Sequence, residues 1–130
     1  MNMNNSCQMF VDYVRAGYPL LWLQTYEEER AILNLSNKAR EAGYTCFSWD
    51  IVAGLCDLAT GQARQMPDPL RPLQAVTSLP EGVILFLKDF HRFINAVDII
   101  RTMKNLVPVL KATDRHIVLI SPVLQIPVEL

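Results

Sequence analysis

Residues 20–29 read Leu-Leu-Trp-Leu-Gln-Thr-Tyr-Glu-Glu-Glu, so the chain passes here from an apolar block directly into an acidic one. The unbroken block Leu20–Leu23 is typical of a strand covered on both faces, which in practice means a parallel sheet flanked by helices. We therefore expect this strand to lie at the centre of the sheet. The residues after it predict a helix from about Tyr26 to Ala42, with Thr25 and Glu28 as a capping box at its start.

This strand-to-helix junction contains no phosphate-binding loop. Such a loop needs the backbone amides of a glycine-rich turn at a helix start, and a lysine for the outer phosphates. The junction Gln24–Glu29 has neither a glycine nor a lysine. Its carboxylates and the predicted cap already occupy the helix terminus, where they oppose a phosphate. We therefore expect that this chain is not an enzyme by itself.

Further apolar blocks and periodic segments complete the predicted fold. The spacing of Ile99, Met103, Leu106 and Leu110 predicts a long helix between the last two strands. The additional strands are expected at Tyr44–Trp49, Val83–Leu87 and His116–Ile120, with a short helix at Leu73–Leu79. Residues 1–130 are thus predicted to form a single α/β domain of three layers, with a mostly parallel sheet of about four strands and helices on both faces. It resembles a P-loop ATPase core without the P-loop.

The segment from Asp50 to Gln65 contains two glycines and no clear hydrophobic period, three prolines follow between Pro67 and Pro72, and the connection considered as a loop runs from Gly54 to Pro72. We expect a loop here, with at most a short hairpin. Because such a loop would be long for an α/β connection, it is also the place where we expect variable recognition.

Composition excludes several classes of protein. The chain has 130 residues, a typical size for one domain, and 51% of them are hydrophobic, which excludes a disordered chain. A net charge of -1 gives no field that would favour nucleic acid or an anionic membrane. No basic and apolar leader and no run of ~18 apolar residues is present. We therefore expect a cytoplasmic protein with neither nucleic acid nor membrane as a partner.

The thiols and imidazoles do not suggest a metal site. Cys7, Cys46 and Cys56 include no Cys-x-x-Cys pair, and His91 and His116 stand apart from them. We assign no metal ligand and interpret Cys46 as a small hydrophobic residue within a strand.

Polar residues follow the ends of the predicted strands. Ligands of parallel α/β sheets bind at the carboxyl ends of the strands, and these ends carry Thr25, Asp50, Asp89 and Ser121. Any cofactor-binding group is therefore sought here, with Asp89, Thr25 and Ser121 as weak candidates. No catalytic residue is assigned.

Asp89 occupies the position at which a magnesium-holding carboxylate lies in P-loop ATPases, directly after an apolar strand. The second acid of a hydrolysing site is replaced by Phe90. We expect Asp89 to cap the following helix or to pair with Lys88 or Arg92, and His91 is a further possible partner.

A phospho-accepting receiver domain is an alternative interpretation of the same strand ends. Receivers gather acids around magnesium beside an accepting aspartate, and Asp89 would take that role here. A receiver also has a fifth strand and a lysine after its fourth, whereas the sequence predicts four strands up to Leu130. The alternative function is thus a nucleotide-binding or receiver-like domain that uses Asp89.

Several segments together resemble the amino-terminal domain of a family of AAA+ ATPases, which includes a conserved chloroplast and cyanobacterial reading frame and many bacterial relatives. These segments are Arg15–Arg30, Trp49 with Gly54-Leu55, Phe86–Phe93, Leu110–Thr113 and Ile120–Leu130. The resemblance implies a degenerate ATPase-like domain followed by an intact AAA+ module beginning after about residue 130. It also implies that ATP and magnesium belong to that module, so that this chain needs no cofactor.

The resemblance further implies roles for individual positions and for the chain as a whole. Asp89 matches the Walker-B-like position, Ser121 the end of the sensor-like strand, and Thr25 the start of the missing phosphate loop. The implied function is a non-catalytic regulatory or interaction domain. Its implied partners are the AAA+ module of the parent chain and an unknown protein. A homo-oligomer is expected on a separate ground, because an excised domain would leave an edge of its sheet open to self-association. The implied location is the cytoplasm, the chloroplast stroma or the cyanobacterial cytosol.

Overall fold

The computed structural model describes residues 3–130, with side chains from residue 6 onward. The helices are α1 Met3–Arg15, α2 Glu28–Glu41, α3 Leu70–Ala75 and α4 Val97–Ala112. The strands are β1 Leu20–Gln24, β2 Thr45–Asp50, β3 Gly54–Asp57, β4 Ala63–Arg64, β5 Val83–Lys88 and β6 His116–Ser121. Short 3₁₀ turns cover Val76–Ser78 and Phe90–Arg92. No helix in the described part of the chain is both long and apolar enough to span a bilayer.

The strands form one sheet in the order β1-β6-β5-β2-β3-β4. The first four in this order are parallel and correspond to the four predicted strands. β3 and β4 are antiparallel additions, so the sheet is a mixed sheet of six strands and the expectation of about four strands was wrong. The short, weakly apolar sequences of β3 and β4 carry little periodic signal, which explains why they were not predicted as strands.

Both faces of the sheet are covered, as the apolar blocks predicted. In β5, Val83, Leu85 and Leu87 join one core cluster with residues of α3 and α4. The alternate residues Ile84 and Phe86 join a second cluster with residues of α1 and α2. Every side chain of β5 up to Leu87, and every side chain of β6, is buried. The three-layer α/β architecture is therefore confirmed.

β1 lies at an edge of the sheet, so the expectation of a central strand was wrong. Its first four residues are half-buried, and the residues that pair with β6 run from Leu20 to Gln24. Residues 20–23 are all apolar because side chains on both faces of β1 pack against the core, and not because β1 has a strand on each side. Leu20 and Trp22 pack on one core cluster, and Leu21 and Leu23 pack on the other.

The segment after β2 is tied to the core rather than forming an open loop. Asp50 Oδ1 accepts hydrogen bonds from the backbone amides of Val52 and Ala53, and these two bonds stabilise the turn into β3. Beyond β4, the Trp49 indole Nε1 donates a 2.9 Å hydrogen bond to the carbonyl oxygen of Met66. Met66 itself is 5% exposed. The predicted long loop is thus a short β-hairpin followed by an anchored connection.

The three cysteines differ in burial, and this predicts different reactivities. Burial raises the pKa of Cys46 to about 11, although the charge of Arg40 lowers it slightly, and burial also raises the pKa of Cys7. Cys56 is only half-buried. With iodoacetamide at pH 8 we expect the folded chain to label mainly at Cys56, and all three thiols to label in urea. Peptide mass spectrometry would measure this. Equal labelling rates for Cys46 and Cys56 would contradict the packing described here.

Candidate functional site

The ends of three parallel strands meet through backbone hydrogen bonds. The Thr25 amide donates to the carbonyl oxygen of Ser121 at 2.9 Å, which joins the end of β1 to the end of β6. The Asp89 amide donates to the carbonyl oxygen of Ile120 at 3.1 Å, which joins the end of β5 to the same region. The three candidates Thr25, Asp89 and Ser121 are thus assembled at one edge, as the strand-end rule predicts.

Thr25 does not cap α2, so the predicted capping box was wrong. Because its amide still bonds to β6, Thr25 extends the strand, and the chain must turn before a helix can begin. The Thr25 hydroxyl accepts the amide of Glu27 at 3.1 Å, only two residues on, and the helix begins at Glu28. Glu27 holds the cap position without a side-chain hydrogen bond. Thr25 therefore stabilises a turn between strand and helix.

The Ser121 hydroxyl is engaged in internal hydrogen bonds. It accepts the indole Nε1–H of Trp22 at 2.8 Å and donates to the carbonyl oxygen of Val123. Ser121 is also 1% exposed. The side chain thus ties β1 to β6 and to the segment that follows β6, and its donor is not free for a ligand.

Asp89 is exposed and adopts a left-handed backbone conformation, with φ of 56°. It precedes the 3₁₀ turn Phe90–Arg92 but makes no side-chain cap there. Within residues 3–130 its carboxylate forms no ion pair with Lys88 or Arg92, so both predicted roles were wrong. The Nδ1 atom of His91 is buried and has no hydrogen-bond partner in the described chain, so His91 is not bonded to Asp89 through that atom.

A cleft of about 360 Å³ opens at the carboxyl ends of β2 and β5. Its lining residues are Glu28, Asp50, Ile51, Val52, Lys88, Asp89, Arg92 and Phe93. Lys88 is its most buried charge, because its side chain is only 14% exposed. The Lys88 ammonium lies 2.7 Å from Glu29 Oε1 and 3.8 Å from Asp50 Oδ2. The lysine of this cleft is thus already held by two carboxylates from α2 and β2.

The pKa values of Lys88 and Glu28 in the cleft are both raised above their ordinary values. Burial lowers the pKa of Lys88, but the hydrogen bond to Glu29 and the charges of Glu29, Asp50 and Glu28 outweigh burial, so its pKa lies above the ordinary value. Burial raises the pKa of Glu28, and the neighbouring charge of Asp89 raises it further, while Lys88 partly offsets both. The cleft lining thus carries the carboxylates of Glu28, Asp50 and Asp89 beside two cations, Lys88 and Arg92, of which Lys88 is already paired.

This arrangement does not match the requirements of a phosphate site. A bound phosphate would face Glu28, Asp50 and Asp89, while the ammonium of Lys88 is engaged by carboxylates and Arg92 is the other cation of the lining. No glycine-rich turn presents backbone amides at the start of α2. Within residues 3–130, no group of three or more His, Cys, Asp or Glu side chains is placed to hold a metal ion. The cleft thus lacks the glycine-rich turn and the unpaired lysine of a phosphate loop.

Glu28→Gln should stabilise the domain slightly at neutral pH, because it removes a partly buried carboxylate that Asp89 repels. The folded state holds the proton of Glu28 more tightly than the unfolded state does, so this residue destabilises the fold as pH rises above the ordinary carboxyl value. We expect a gain of less than about 1 kcal/mol at pH 7, reduced further by solvent screening and by the α2 dipole. Urea unfolding at pH 7 and at pH 4 measures it.

The pH dependence is the informative part of this experiment. The difference between Glu28→Gln and the wild type should shrink toward pH 4, since Glu28 is then mostly protonated in both the folded and the unfolded state. Glu81→Gln is the matched control, because Glu81 is exposed and lies outside the cleft. A gain from Glu28→Gln that is equal at both pH values, or equal to that of the control, would refute the proposed repulsion.

The sequence indicated the carboxyl ends of the strands as the place of a site, but it did not indicate the ion pairs of Lys88 there. Asp50 was expected at a strand end, whereas the roles of Glu28 and Glu29 were hidden by the predicted cap. The ion pair of Lys88 with Glu29 joins residues separated by 59 positions, which no local pattern reveals. The one available signal was a lysine directly after five apolar strand residues, since a buried ammonium requires a counter-charge.

The fold and the cleft define a class: a three-layer α/β domain with a mixed six-stranded sheet and no glycine-rich phosphate loop after its first strand. Residues 6–130 match the family model described as the SpoVK-like AAA ATPase, N-terminal domain. The chain belongs to this family. No solved structure matches the chain significantly.

Curated relatives agree with this assignment. The chain is 32% identical over 126 residues to the uncharacterized AAA domain-containing protein ycf46 of Guillardia theta, covering 90% of this chain and 24% of the relative. It is 31% identical over 121 residues to the ycf46 protein of Trieres chinensis, again covering 90% of this chain and 24% of the relative. The ycf46 protein of Pyropia yezoensis is 32% identical over 122 residues, covering 88% of this chain and 24% of that relative. The chain thus spans about a quarter of the length of these relatives.

Proposed function

We propose that this chain is a non-catalytic regulatory and interaction domain of an AAA+ ATPase. Its partners would be the AAA+ module of the parent protein and a further protein, in the cytoplasm or in a plastid stroma. ATP and magnesium would be bound by the module that relatives carry outside the matched region. The chain itself would need no cofactor and carry no catalytic residue.

The acidic junction between β1 and α2 is the observation that carries this proposal. In a nucleotide-binding core this junction supplies backbone amides and a lysine to the phosphates. Here it supplies Glu27, Glu28 and Glu29, and the nearby Lys88 is bound by Glu29. A domain that retains the strand skeleton but opposes phosphate at this point is suited to contacts with proteins rather than to nucleotide chemistry.

A phospho-acceptor role for Asp89 is the alternative, and it is favoured because Asp89 is exposed and lines the cleft. Lys88 lies in the same cleft, as a receiver mechanism would require of a lysine. Two observations count against this role: Lys88 is engaged by Glu29 and Asp50, and the described residues offer no group of three or more His, Cys, Asp or Glu side chains placed to hold a metal ion.

Incubation with acetyl phosphate and magnesium, followed by intact-mass measurement, separates the two functions. We expect no phosphorylated species in the wild type. Asp89→Asn is the matched variant, because asparagine tolerates the left-handed conformation of residue 89 and replaces the nucleophilic carboxylate with a neutral amide of similar shape. A phosphoryl adduct on the wild type that is missing from Asp89→Asn would overturn the proposal in favour of the receiver-like alternative.

A further inference from the structure

Residues 122–130, the strap, follow β6 and run back along β1. At the start of the strap, the carbonyl oxygen of Pro122 accepts a 3.2 Å hydrogen bond from Nε2 of Gln24, the last residue of β1. At its other end, Leu130 shares a cleft with Leu20, the first residue of β1. The strap therefore crosses the length of β1 in the direction opposite to the strand.

The strap covers one face of β1. Leu20 and Trp22 pack on the core cluster that contains residues of α3 and α4, and Leu130 packs on the same cluster. Leu20, Trp22 and Leu119 line an apolar cleft together with Ile126 and Leu130 of the strap. Because β1 lies at the edge of the sheet, the strap shields apolar side chains that this face would otherwise expose to water.

The strap is attached by few contacts. Among the described residues, its backbone makes one hydrogen bond to another backbone group, from the Leu130 amide to the carbonyl oxygen of Pro127, and this bond lies within the strap. The Ser121 hydroxyl donates to the carbonyl oxygen of Val123. The cleft beneath the strap has a volume of about 120 Å³, and Ile126 is 53% exposed although it lines this cleft. A segment without backbone pairing to the core opens at a lower free energy than the core does.

We propose that the strap is a displaceable cover, which detaches from β1 while the sheet and the helices stay folded. Detachment exposes Leu20, Trp22 and Leu119 as one apolar strip beside the sheet edge. It also frees the hydroxyl donor of Ser121, which Val123 occupies when the strap is closed. One movement thus changes both the apolar face of β1 and a polar group at the end of β6. The proposal does not depend on the function proposed above.

Leu130 and Val128 form a matched pair of positions within the strap. Leu130 is half-buried, contacts the core cluster and lines the clefts at both ends of this contact. Val128 is 96% exposed and lines neither cleft. Loss of the Leu130 side chain should shift the equilibrium about tenfold or more toward the detached strap, because less apolar surface is buried on closing. The same change at Val128 should shift nothing.

Acrylamide quenching of tryptophan fluorescence measures this shift. The chain contains two tryptophans, and Trp49 is 0% exposed, so acrylamide quenches mainly Trp22 in the cleft beneath the strap. We expect Leu130→Ser to raise the quenching constant about twofold or more, and Val128→Ser to leave it at the wild-type value. An unchanged quenching constant in Leu130→Ser, or an equal rise in both variants, would overturn the proposal.

Urea unfolding followed by circular dichroism distinguishes detachment of the strap from weakening of the whole fold. Leu119→Ala is the reference, because Leu119 is 1% exposed in β6 and its truncation leaves a cavity in the core. We expect Leu130→Ser to lower the unfolding midpoint much less than Leu119→Ala does, since the sheet survives detachment. A loss of midpoint as large as that of Leu119→Ala would show that the strap unfolds together with the core, and this result would also overturn the proposal.

Discussion

Trp49→Ala should lower the free energy of unfolding by about 3–5 kcal/mol, because it removes the largest side chain of the core and leaves a cavity. Trp49 is 0% exposed, and its ring contacts those of Phe90 and Phe93 at centroid distances of 5.7 and 6.1 Å. The loss is a large part of the stability of an ordinary domain, which is about 5–15 kcal/mol. Urea unfolding followed by circular dichroism measures it.

Trp49→Phe separates packing from hydrogen bonding at the same position. Phenylalanine keeps most of the ring contact but leaves the carbonyl oxygen of Met66 without the 2.9 Å bond from the indole. We expect a loss of about 1–3 kcal/mol, smaller than that of Trp49→Ala. If Trp49→Ala cost less than about 1 kcal/mol, the anchoring of the segment after β4 by Trp49 would be incorrect.

Gly54→Ala should cost about 3 kcal/mol or more, because a methyl group at residue 54 has no space. Gly54 has φ of +80°, and an added Cβ would lie 2.1 Å from the carbonyl oxygen of Arg64 and 2.8 Å from Gln65 Cα. Both atoms belong to the backbone, so the β3–β4 hairpin would have to move. Thermal unfolding and urea unfolding of the variant would measure the loss.

Gly61→Ala is the matched control for this clash. Gly61 has φ of +77°, but an added Cβ would meet nothing within 4 Å. Alanine there meets only the left-handed backbone strain, about 1–2 kcal/mol. The difference between the two variants therefore isolates the close approach of β4 to Gly54. Equal costs would mean that the hairpin is not packed as described.

The elements that the sequence predicted well are those with a strong local pattern. The apolar runs of β5 and β6 are buried on both faces, and the four apolar positions of α4 are its buried residues. The start of α2 was mispredicted because Thr25 has the residue type of a cap, while a tertiary hydrogen bond to Ser121 keeps it in the strand. Local chemistry could not indicate that bond, since β6 begins about ninety residues later.

The position of β1 illustrates a second limit of sequence reasoning. An apolar block shows that both faces of a strand are covered, but not whether both of its edges are paired. α1 and the segment after β6 contribute apolar residues to the two clefts beside β1, although the strand lies at the end of the sheet. The sheet order depends on which strands meet in space, and no hydrophobic pattern contains that information.

The candidate site was predicted in location but not in chemistry. Thr25, Asp89 and Ser121 lie together because the carboxyl ends of parallel strands meet at one side of the sheet, and whether they bind a ligand stays a prediction. The side chains make other contacts than expected. The Ser121 hydroxyl is hydrogen-bonded to the Trp22 indole and to the carbonyl oxygen of Val123. The Asp89 side chain neither caps the 3₁₀ turn that follows it nor forms an ion pair with Lys88 or Arg92. Hydrogen-bond partners of this kind depend on side-chain directions that only the folded chain defines.

Calorimetric titration of the folded chain with magnesium–ATP tests most directly whether the domain lacks nucleotide chemistry. The carboxylates at the start of α2 and the engaged Lys88 predict no saturable binding up to about 1 mM nucleotide. Asp89→Asn should give the same result, because Asp89 holds no metal in this account. Saturable binding of magnesium–ATP with a dissociation constant below about 1 mM, abolished in Asp89→Asn, would contradict the account.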